Sequence, residues 1–142
     1  MALNVTIYHA DHGIGEAHKA VITALFEEAG DGFLLKTVTL PEGCPDLMSG
    51  IHGPIVGDER VPYTEVHWAR RGDRKGLSRL CNRPSRSTPL MTVIGVREGE
   101  RVKVFTAYGG PAAPREITDH SMPPEAAEEA IAFWSMHALS AE

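Results

Sequence analysis

Cysteine is nearly absent from this chain: Cys44 and Cys81 are the only two among 142 residues. Two irregularly placed thiols supply neither a disulfide framework nor a zinc motif, so both read as free thiols of a reducing compartment. No apolar run approaches the roughly 18 residues of a membrane span. The opening MALNVTIYHA has neither the basic flank nor the long apolar stretch of a secretory leader. The expectation is a cytoplasmic protein with no membrane partner. Several catalytic signatures are also missing. There is no C-x-x-C, no H-E-x-x-H, no G-x-S-x-G elbow and no P-loop, so redox, zincin, serine-hydrolase and nucleoside-triphosphatase chemistry have no support. No internal repeat or low-complexity tract is present.

What the sequence does contain is enough apolar material for a core, 42% of all residues, at the size of one globular domain spanning residues 1–142. Leu3, Val5 and Ile7 alternate with polar neighbours, the period of a half-buried strand. Ala17, Ala20, Val21, Ala24 and Leu25 then recur as one helical stripe, with Gly30 placed as its C-terminal cap. Phe33 to Leu40 returns to β-type composition before Pro41. Residues 41–62 hold four prolines and four glycines, which predicts a long irregular loop of the kind that covers a binding site. Tyr63 to Ala69 reads as a short strand, and Leu90 to Val96 with Val102 to Tyr108 as a hairpin about Gly99. Pro123 and Pro124 open a final helix with Ala127, Ala130, Ile131, Trp134 and Ala138 on one stripe. The fold class is therefore α+β: a largely antiparallel sheet with a β-α-β opening unit, a C-terminal β-hairpin and two packed amphipathic helices.

Charge is distributed unevenly. The net charge is -5, yet Arg60, Arg70, Arg71, Arg74, Lys75, Arg79, Arg83 and Arg86 face only Glu65 and Asp73 within their stretch. Like charges at that density repel unless something negative neutralises them, so the tract reads as an anion-facing surface. Arg70, Arg71, Arg74, Arg83 and Arg86 are its candidate ligand-binding residues. Arg115, beyond Pro111 and Pro114, is a further candidate at the rim of the hairpin.

The histidines His9, His12 and His18 cluster near a strand-to-helix turn, but none has zincin spacing. Gly13-Ile14-Gly15 has His18 where a dinucleotide loop needs its third glycine. No metal and no cofactor are expected. His67 stands apart, because it shares a strand face with Glu65 and precedes Arg70 and Arg71. An imidazole that titrates near neutrality beside permanently charged guanidinium groups suits phosphate-ester chemistry.

A hairpin centred on Gly99 pairs Val96 with Val102, Ile94 with Val104 and Thr92 with Thr106, an expected register that leaves Thr106 and Tyr108 at its open end before Gly109-Gly110-Pro111. A leading helix, a histidine followed by a basic stretch, and a terminal hairpin ending in threonine and tyrosine resemble the barnase and EndoU type of small bacterial ribonucleases over residues 67–108. The resemblance implies His67 as the proton-transfer group, Arg79 as the phosphate ligand, and Thr106 and Tyr108 as strand-end site residues. The functional expectation is metal-independent cleavage of RNA or another phosphate ester. The alternative is a non-catalytic protein whose arginines hold a small anionic ligand under the 41–62 loop.

Overall fold

The computed structural model describes residues 3–8, 13–53, 65–70, 77–114 and 123–140. The chain divides into two compact units, each assembled from two segments: Met1–Ser49 with Arg86–Ala112, and Gly50–Ser85 with Ala113–Glu142.

In the first unit, strand β1 (Asn4–Ile7), helix α1 (Glu16–Ala29) and strand β2 (Gly32–Thr39) form the expected β-α-β opening. The two strands do not touch. β8 (Leu90–Glu98) and β9 (Arg101–Gly109) insert between them, giving the order β1-β9-β8-β2, parallel at β1·β9 and antiparallel elsewhere. A small ribbon of β3 (Leu47–Ser49) and β7 (Arg86–Thr88) completes this unit. The 41–62 segment is thus not wholly irregular. β3 lies in it, and so does the two-residue β4 (Ile51–His52) of the second unit. The pairings supply backbone partners that its prolines and glycines conceal from sequence patterning.

Helix α1 turns a different face inward from the one its alanines suggested. His18, Ile22 and Phe26 are buried, Val21 and Leu25 flank them, and Ala17, Ala20 and Ala24 are exposed. The larger side chains win because apolar stabilisation scales with the area removed from water. They pack on Met91, Val93, Val102, Val104 and Ala107 from the sheet. His18 is tolerated there because both its ring nitrogens are used. Nδ1 accepts the Gly15 amide at 2.9 Å, and Nε2–H donates to the Pro45 carbonyl at 2.7 Å. It is an N-terminal cap for α1. His9 and His12 lie outside the described residues.

The hairpin register differs from expectation for two reasons. Gly99 and Glu100 form a two-residue turn closed by Glu98 opposite Arg101, with positive φ at Gly99 alone (64°), the signature of a II′ turn. That shifts the ladder by one residue, so Val96 faces Lys103. A bulge then leaves Phe105 unpaired and shifts it again, so Ile94 faces Thr106 and Thr92 faces Tyr108. The expected pairing of Thr92 with Thr106 is corrected accordingly. The bulge also separates what alternation alone would have kept together: Val102, Val104 and Ala107 point to the core, while Thr106 and Tyr108 point to the opposite face.

In the second unit, β5 (Val66–Arg70), β6 (Leu77–Cys81), β10 (Ala138–Ser140) and β4 form a sheet in the order β4-β10-β6-β5. Only β10·β6 is parallel. Helix α2 (Pro124–Trp134) starts at the predicted prolines and buries Ala130 and Trp134, whose Nε1–H donates to the Pro114 carbonyl at 3.2 Å. Two members of the expected stripe depart from it. Ile131 is exposed, and Ala138 belongs to β10, because the chain turns after Trp134 with Ser135, Met136 and His137 amides closing on carbonyls of the last helical turn. Among the described residues no helix is long and apolar enough to cross a membrane.

Candidate functional site

The basic tract contributes β5 and β6, an antiparallel pair whose register decides which side chains meet. Val66 faces Cys81, His67 faces Leu80, Trp68 faces Arg79, Ala69 faces Ser78 and Arg70 faces Leu77. Residues paired across a ladder share a face and sequence neighbours do not. Trp68, Arg70, Leu77 and Arg79 therefore form one surface, and His67 lies on the other with Leu80 and Ser78. His67 and Arg79, assigned together by the ribonuclease resemblance, sit on opposite faces of the same two strands.

Each remaining arginine has its own setting. The Arg79 guanidinium donates through Nη1 to the His137 carbonyl at 2.7 Å. Arg83 Nε donates to Glu65 Oε2 at 2.8 Å, so Glu65 serves Arg83 and not His67. Arg70 is exposed and makes no ion pair with a described residue. Arg86 is exposed at the start of β7 in the first unit. Arg71, Arg74 and Arg115 lie outside the described residues. Thr106 and Tyr108 are half-buried on β9, also in the first unit.

Two residues of the second unit escaped the sequence reading. Trp68 is 44% exposed although tryptophan is costly to leave in water; its signal was the alternation Val66-His67-Trp68-Ala69-Arg70, which places Trp68 and Arg70 on one face. His137 is the other. Its ring lies flat on Phe133, centroids 4.0 Å apart, and Nδ1–H donates to the Phe133 carbonyl at 2.9 Å. Burial lowers its pKa, and the nearby Arg79 charge acts in the same direction against the opposing effect of the Phe133 hydrogen bond. The His137 imidazole, whose backbone carbonyl accepts from Arg79, is thus held towards its neutral form. Gly53 makes room for it: a Cβ there would stand 2.5 Å from the His137 ring.

Two further polar groups of the second unit, Cys81 and His52, are enclosed within it. Burial raises the Cys81 pKa and keeps the thiol protonated, the opposite of a nucleophile's setting. His52 is buried and donates through Nε2–H to the Pro84 carbonyl at 3.0 Å. Among the described residues no three His, Cys, Asp or Glu side chains gather as a metal site. What the second unit offers is a face with an exposed indole, a guanidinium beside it and another across from it, which is a surface for stacking and for charge pairing. No protein-family model, curated protein or solved structure matches this chain.

Proposed function

We propose that this chain binds single-stranded RNA through the Trp68 face of its second unit, without cleaving it. One observation carries the reading: exposed Trp68 stands directly opposite Arg79 and two residues from Arg70 on the same strand face. An aromatic ring in that setting stacks on any base, and the guanidinium groups pair with the phosphates on either side. Binding is favoured over cleavage because the ladder puts His67 behind the strand from Arg79. Proton transfer and phosphate clamping need both groups at one phosphorus. The negative net charge does not oppose this reading, since attraction is set by the local field of the basic tract.

Titration with oligouridylate at low salt tests it through tryptophan fluorescence. Stacking should quench Trp68, Trp68→Ala should weaken binding by about tenfold or more, and affinity should fall with added salt. Unchanged affinity in a folded Trp68→Ala variant rejects the proposal. Shortening of the RNA during the titration rejects the non-catalytic part of it.

A further inference from the structure

The first unit carries a separate collection of polar side chains, unrelated to the basic tract. β1 and β9 run parallel with Asn4 beside Arg101, Val5 beside Val102, Thr6 beside Lys103 and Ile7 beside Val104. Val5 and Ile7 pack on the core, so Asn4 and Thr6 project from the opposite face together with Arg101 and Lys103. Tyr8 continues this row just beyond β1, its amide donating to the Val104 carbonyl at 3.0 Å and its side chain 57% exposed. These residues line a depression of about 280 Å³.

None of the five side chains, Asn4, Thr6, Tyr8, Arg101 or Lys103, has a hydrogen-bond or ion-pair partner among the described residues. Glu98 stands across from Arg101 in the hairpin yet makes no ion pair with it. Two cationic side chains two residues apart on one strand, an amide, a hydroxyl and a phenol thus open on one hollow with their donors uncommitted among the described residues. Its volume lies near the lower end of small-molecule sites, roughly 300 Å³, too small for a folded partner.

The geometry points to this hollow as a site for a phosphorylated aromatic small molecule, a nucleoside monophosphate by class. Arg101 and Lys103 take the phosphate, through charge-assisted hydrogen bonds that need no metal. Asn4 and Thr6 offer both donors and acceptors to a sugar or base edge. The exposed Tyr8 ring supplies the stacking surface at the end of the row. This site stands in a different unit from the Trp68 face and does not depend on the RNA-binding proposal.

The test uses the full chain, AMP, inorganic phosphate and oligouridylate as probes, and backbone amide shifts as the readout. AMP should produce saturable shifts centred on Asn4, Thr6, Tyr8, Arg101 and Lys103. It should bind more tightly than inorganic phosphate, and Tyr8→Ala should narrow that difference. Arg101→Gln with Lys103→Gln should weaken AMP binding by about tenfold or more, while Trp68→Ala leaves it unchanged. If the double variant fails to fold, Lys103→Gln alone should still weaken binding about threefold. The inference is overturned by any of these results: no saturation by about 10 mM AMP, equal affinity for phosphate and AMP, or AMP binding retained in a folded double variant. Shifts at these amides with oligouridylate but not with AMP would also overturn it, by making the site part of a strand-binding surface.

Discussion

Thr37 and Thr92 share a hydroxyl–hydroxyl hydrogen bond of 2.7 Å across β2 and β8, and the direction of that bond is determined. Thr92 has one proton and gives it to the Gly110 carbonyl at 2.8 Å. Thr37 must therefore be the donor to Thr92. The chain Thr37 to Thr92 to Gly110 ties the edge strand, through a buried hydroxyl, to the Gly-Gly turn that ends β9.

Replacing Thr92 with valine keeps its shape and removes both bonds. Because Thr92 is fully buried, the Gly110 carbonyl loses a partner at a site that excludes water, at a cost of about 1–3 kcal/mol. Thr37→Val should cost less, about 1 kcal/mol or below, since Thr37 is exposed and its loss leaves the Gly110 bond intact. Urea unfolding of the two variants measures both; equal losses would show that the Gly110 bond contributes nothing.

Gly95 sits at the bulge, where a Cβ would stand 2.6 Å from the Lys103 carbonyl oxygen and 2.9 Å from the Phe26 ring. Gly95→Ala should destabilise by about 1–3 kcal/mol through overpacking against backbone that cannot yield. Gly99→Ala should cost about 1–2 kcal/mol for another reason: its φ is 64° and nothing lies within 4 Å of the added methyl. Truncating Phe26 to leucine should relieve part of the first loss and none of the second, as a double-mutant cycle would show.

Trp68 and Trp134 are the two tryptophans of the chain, one 44% and one 4% exposed. Trp134→Ala should cost about 3–5 kcal/mol in denaturant unfolding, the usual loss for a large aromatic in a core. Trp68→Ala should cost well under 1 kcal/mol. In the folded chain, Trp68→Phe should leave blue-shifted, quencher-protected emission from Trp134, and Trp134→Phe should leave red-shifted, accessible emission from Trp68.

His137 predicts a pH dependence whose sign follows from its lowered pKa. The unfolded chain takes up this proton near the ordinary value of 6.5, before the folded chain does. The contribution to stability is therefore complete above about pH 6.5 and is lost as pH falls from there through the lowered folded value. His137→Gln should remove that part of the slope. Melting temperatures of the two proteins should diverge least at about pH 5 and most at about pH 7.5. A constant difference would place the proton elsewhere.

Local chemistry was enough to locate much of this architecture. Alternation placed β1, β-type composition placed β2 and the two strands of the β8–β9 hairpin, the prolines placed the start of α2, and Trp134 declared itself as core, because each signal lies within a few consecutive residues. β6, β7 and β10 were not legible. Each is short, and the arginines of Leu77–Cys81 and Arg86–Thr88 hide an alternation that only pairing makes cooperative. The inward face of α1 is hidden from local patterning for a related reason: His18 looks polar until the Gly15 amide and Pro45 carbonyl are placed on its two nitrogens. The candidate sites depended most on tertiary structure. The sequence by itself determined that arginines concentrate between Arg60 and Arg86 and that Trp68 and Arg70 alternate onto one face. Only the register between β5 and β6 decided that Arg79 joins them and His67 does not. Only the bulge at Phe105 decided which way Thr106 and Tyr108 point. Strand periodicity is two, so a single-residue slip exchanges the faces of everything beyond it, and that slip is set by turns and partners that no local window of sequence contains.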